Sequence, residues 1–122
     1  MTFGYRGEDF PMDFHFVVDP DQQLIVVLSP QPVRVPQDKV ADMARAVAAM
    51  NYRLVIGQFA FDQSSGFIYW KLAVPFRGSL ISEEVFDYII HGCIHIVDEY
   101  NDKLIMLVKG MLDVDTFIES QQ

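Results

Sequence analysis

His91, His95 and Glu99 recur at four-residue intervals, the spacing that stacks side chains along one face of an α-helix. Asp98 and Asp102 stand beside them. Two imidazoles one turn apart can chelate a divalent ion, and a carboxylate one turn further would add a third ligand. A metal-binding sensor or an enzyme built on this helix face is therefore one function class open to the chain. The plainer reading is a solvated helix face, because no cysteine or further histidine completes a ligand set. On that reading no metal is assigned.

The other reactive side chains carry less. His15, near Asp13, could be a strand-borne base, but a lone strand histidine more often faces solvent. Cys93 lies amid apolar residues at helical spacing and reads as a small buried hydrophobe, not a nucleophile. The seven glycines are scattered and form no phosphate-cradling loop, and no serine sits in a nucleophile-elbow setting. Asp62, Glu83 and Glu84 are accounted for by turn and capping chemistry. The expectation is a non-enzymatic protein with no catalytic residue and no cofactor.

Composition narrows the classes further. Of 122 residues, 51% are hydrophobic and 21% charged, which describes an ordered chain and one domain spanning residues 1–122. A net charge of −8 repels phosphate backbones and anionic lipid, so neither nucleic acid nor a membrane surface is an expected partner. A single cysteine excludes an internal disulfide framework. No run of about twenty apolar residues exists, and the N-terminus resembles no secretory signal. A cytoplasmic location is expected.

The elements that would position these residues alternate in period. Residues 1–11 show no periodicity and read as an irregular N-terminal arm. Met12 to Asp19 alternates as a strand, Pro20-Asp21 supplies a turn, and Gln23 to Ser29 forms a second strand with both faces apolar. Pro30, Pro32 and Pro36 end that ladder. Pro36 opens a helix carrying Val40, Met43, Ala44, Val47 and Ala48, with Asn51 as its C-terminal cap. A long hairpin follows: Leu54 to Phe61, a turn ending at Gly66, and a return from Phe67 to Phe76. Pro75 cannot donate to a ladder, so the end of that strand should lie at an edge.

Ser82 is a good N-cap for a second helix reaching about Lys109, with Gly110 as its stop. Its apolar arc is wider than a one-sided helix needs. A short helix from Val114 to Glu119 closes the chain. Together these predict an α+β fold, an antiparallel sheet of four to five strands with two main helices.

Two helices can cover only one face of such a sheet. Ile25, Val27, Leu54, Ile56, Phe67, Tyr69 and Ala73 are then left as an expected interface, which a homodimer or another protein would cover. Trp70 and Phe59 belong to the core. Phe67 and Tyr69 point the other way.

The pattern Asn51-x-x-Leu54-x-x-Gly57-x-Phe59, followed by Gly66, Ile68 and Tyr69, resembles the YbjN family, described as bacterial sensory transduction regulators. Pro32, Val33, Val35 and Pro36 leading into a helix fit it too, as do Asp98, Tyr100 and Gly110. The resemblance spans roughly residues 12–120. It implies a fold similar to the dimeric chaperones of type III secretion systems, and a protein-binding or chaperone-type regulator with no catalytic residues. The chain departs from the usual pattern in lacking a leading helix.

Overall fold

The structure, a computed structural model, describes residues 2–6, 11–76 and 82–122. Five strands form one antiparallel sheet: β1 (Thr2–Arg6), β2 (Pro11–Asp19), β3 (Leu24–Arg34), β4 (Gln58–Phe61) and β5 (Phe67–Pro75). Their spatial order is β1-β2-β3-β5-β4. A 3₁₀ turn, Gln37–Lys39, leads into α1 (Val40–Arg53); α2 (Glu83–Val108) and α3 (Val114–Ser120) complete the chain. The expected α+β architecture is what is found.

Local chemistry explains most boundaries. The Asp19 carboxylate accepts from the Asp21 and Gln22 amides and folds the β2–β3 turn, an Asx arrangement. The Ser82 hydroxyl accepts from Val85 N–H at 3.1 Å and starts α2, with Glu83 and Glu84 in its first turn. At the far end of α2 the Gly110 and Met111 amides return to the Leu107 and Met106 carbonyls, a Schellman closure. Pro75 pairs with Leu24 beyond the four residues that β4 covers. Its missing N–H therefore falls where β5 has no further neighbour, as expected.

Three boundaries differ from the sequence expectation. Thr2–Arg6 is not irregular: it pairs antiparallel with β2, Thr2 opposite His15 and Arg6 opposite Pro11. The remainder of the expected arm, residues 1 and 7–10, lies outside the described residues. Asn51 is not a cap, because α1 continues to Arg53 and Leu54 terminates it. The hairpin is also shorter than its apolar alternation suggests, since residues 54–57 form a connecting segment. Gly57 ends that segment at φ +73°, and a Cβ there would meet Trp70 Cζ2 at 2.4 Å. Only glycine lets the chain pass over the indole at that point.

Asn51 does different work. Its side-chain amide donates to the Phe59 carbonyl at 2.9 Å and accepts from the Phe59 N–H at 2.8 Å. Helix α1 thereby completes the outward-facing backbone pair of the short edge strand.

All three helices occupy one side of the sheet, and the core lies between them and the strands. Phe14, Val27, Phe59, Ile68 and Trp70 supply the sheet side, and Met50, Val97, Tyr100 and Leu104 the helical side. Aromatic rings knit the centre: Phe59 meets Trp70 and Tyr100 edge-on at 5.3 and 5.6 Å. The Tyr100 hydroxyl donates to Gln121 Oε1 at 2.6 Å, tying the C-terminus to α2.

Candidate functional site

The sheet face away from the helices carries exposed apolar side chains interleaved with polar ones. Cross-strand register defines its rows: Val17 opposite Val26 opposite Ala73; His15, Leu28, Lys71 and Gln58; and Pro30, Tyr69 and Ala60. Val17 is 50% exposed, Phe67 44% and Tyr69 38%. The Arg34 guanidinium lies 5.5 Å from the centroid of the Phe67 ring, so the margin of the patch carries a cation stacked on an aromatic face.

The seven residues grouped as an expected interface are not brought together. Phe67, Tyr69 and Ala73 do share the open face. Val27 is 1% exposed and lies in the core, and Ile25 packs against that core from the same side. Their assignment to an interface is corrected: period-two alternation separates the two faces of a strand, but helix docking decides which becomes interior. Leu54 and Ile56 sit off the sheet in the segment after α1, Leu54 against the core and Ile56 half-exposed. Val17, Val26 and Leu28 belong to the open face instead. The sequence signal for them was present in the alternation of β2 and β3, with the opposite face taken as the free one.

A second surface lies on the helical side. Between α2 and residues 55–56 runs an apolar groove of about 310 Å³, floored by Trp70 and Leu72. The indole is fully buried, yet its Nε1–H has no hydrogen-bond partner. Burial pushes the Cys93 thiol up, and the neighbouring indole tempers that shift, although no hydrogen bond of acceptable geometry joins the two. A raised thiol in an apolar wall is a poor nucleophile.

The histidine face of α2 does not assemble. His91 and His95 are exposed on the helix, and Glu99 turns to Arg53 at 3.7 Å, joining α2 to α1. Among the described residues no three metal-ligating side chains converge. Among the described residues, helical spacing aligns His91, His95 and Glu99 without a closing ligand from another element. Among the described residues no helix is long and apolar enough to cross a membrane.

What the geometry defines is a small α+β protein with apolar side chains exposed on its sheet and beside α2. Residues 5–106 match YbjN, described as "Putative bacterial sensory transduction regulator". That span is well over half of the chain, and the protein belongs to this family. A comparison with curated proteins returns no match.

Proposed function

We propose that this protein is a non-enzymatic, protein-binding regulator of the cytoplasm that assembles as a homodimer through the open face of its sheet. The observation that carries the reading is that face itself: Val17, Phe67 and Tyr69 remain 38–50% exposed on the side of the sheet away from the helices. Apolar side chains left exposed on one sheet face, here on either side of the row of His15, Leu28, Lys71 and Gln58, favour association. A two-fold axis through such a face would bury the same residues of both copies, which is the commonest closed assembly. A chaperone-type role, in which the assembled dimer holds another protein, is part of the same proposal.

Light scattering behind size-exclusion chromatography tests this. The unmodified chain should elute at twice its 14.0 kDa mass. Tyr69→Asp should return it to one copy with unchanged circular dichroism, since the side chain is accessible in the monomer. A dimer that survives Tyr69→Asp and Val17→Asp together would place the contact elsewhere. A strictly monomeric native protein would remove the homodimer from the proposal.

A further inference from the structure

We propose that the outer border of β1 is a docking edge for an extended, proline-free, basic segment of a partner protein, which adds to the sheet as a further strand. This rests on the protein-binding reading above and gives that partner its chemistry.

The phase of hydrogen bonding in the sheet shows which groups the border offers. In an antiparallel ladder the N–H and C=O of one residue point to the same neighbour, and successive residues alternate. Two side-chain hydrogen bonds fix that phase independently. Asn51 takes both backbone groups of Phe59, so Phe59 points out of the sheet at β4. The Ser29 hydroxyl donates to the Asp13 carbonyl at 2.7 Å, so Asp13 points toward β3. Carried through the register, both bonds give the same result. The backbones of Phe3 and Tyr5 bond those of Phe14 and Met12, and Thr2, Gly4 and Arg6 turn their backbone groups away from β2. Among the described residues no strand lies beyond β1.

Elsewhere the backbone border is disarmed. Strand β4 is four residues long, and Asn51 occupies Phe59. Pro75 falls where β5 outruns β4, and Pro30 stands at the position of β3 that would next pair with β2. Neither has an N–H to offer. Prolines and short strands are the usual means of keeping edges from pairing. Strand β1 has five residues, none of them proline, and every second one presents a donor and an acceptor together. An edge left competent where others are blocked is suited to accept a strand.

The occupant follows from the same groups. Pairing needs an extended segment that keeps its own N–H groups, which excludes proline. A helix spends its amides internally and cannot meet the edge. The net charge of −8 draws a cationic segment and repels an acidic one. A second copy seated on the open face does not consume this border.

Fluorescence anisotropy of a labelled peptide, Lys-Val-Thr-Val-Lys, titrated with the full chain tests the site. Saturable binding is expected, and methylating the central backbone nitrogens of the peptide should weaken it at least about tenfold, the ratio of one lost hydrogen bond. Gly4→Pro removes an outward N–H without touching a bond to β2. It should lower affinity by a similar factor while circular dichroism and indole fluorescence stay unchanged. Thr2→Pro acts at another outward position and takes its place if Gly4→Pro does not fold. No saturable binding up to about 1 mM, equal binding of the methylated peptide, or folded proline variants that bind as before would overturn the site. So would equal binding of a peptide with glutamate in place of lysine, or loss of binding in Tyr69→Asp alone, which would put the segment on the open face. Light scattering on the same samples keeps this apart from the homodimer. Gly4→Pro should retain the native mass, and a fall in mass would mean that a second copy, not a partner, pairs at β1. A monomeric native chain that still binds the peptide in this pattern would uphold the edge and remove only the homodimer.

Discussion

At the scale of single residues, the chain spends its special conformations on packing and turns. Gly57 is the sharpest case, because left-handed backbone and a 2.4 Å approach to Trp70 coincide there. Gly57→Ala should cost about 2–4 kcal/mol, combining the left-handed penalty of a Cβ with overpacking against the ring. Urea unfolding followed by the single indole would measure it, and a loss under about 0.5 kcal/mol would mean the segment relocates freely. Asp62 offers a pH test. The Ser64 hydroxyl, Ser65 and the Ser64 amide hold its carboxyl below the usual 3.8. A carboxyl depressed in the folded state stabilises it above the unfolded value and loses that contribution as pH falls through the folded one. The stability gap between the native chain and Asp62→Ala should therefore be full at neutral pH and narrow below pH 3.8. A gap that widens on acidification would reverse the assignment.

At the scale of elements, legibility followed how strongly each segment fixes itself. Helix α2 was readable to within a residue at its start because Ser82 caps it and Gly110 closes it. Strand β5 announced itself by alternation, and that alternation is borne out by its burial pattern. Residues 54–57 differ from the sequence expectation because Leu54-Val55-Ile56 has the composition of a strand, while α1 runs up to Arg53 immediately before the segment and Gly57 redirects its end. Strand β1 was invisible for the opposite reason: five residues with no clear period become a strand only through pairing with β2. Helix α3 is another dependent element, seven residues long and too short to persist alone. It is held by the Asp113 cap, by Arg45 on Asp115 at 2.7 Å, and by the Tyr100–Gln121 hydrogen bond. Tyr100→Phe should cost about 1–2 kcal/mol by leaving the Gln121 carbonyl buried and unmet. Hydrogen exchange should show the loss first in α3, and uniform acceleration across the chain would argue against a local clasp.

At the scale of the whole molecule, the apolar excess was evident in the sequence but its location was not. Counting two helices against a sheet with two apolar faces showed that one face must remain uncovered. Deciding between the face of Val27 and the face of Val26 needed the direction from which α2 docks, which no single strand encodes. The same limit applied to the groove, whose walls come from α2, β5 and the 55–56 segment together. The Asn51 clasp on Phe59 bears on how many copies this molecule can join. A sheet grows when an incoming strand finds free backbone amides and carbonyls along its border, and such growth has no natural end. With Asn51 occupying the Phe59 position of that border, growth from the β4 edge is disfavoured, whereas association through a face closes after a fixed number of copies. Asn51→Ala should therefore convert a finite particle into one that polymerises, with thioflavin T signal rising on incubation while the native chain stays dark. If the variant remains dark as well, the brevity of β4 alone is enough to keep the molecule from becoming a template for its own kind.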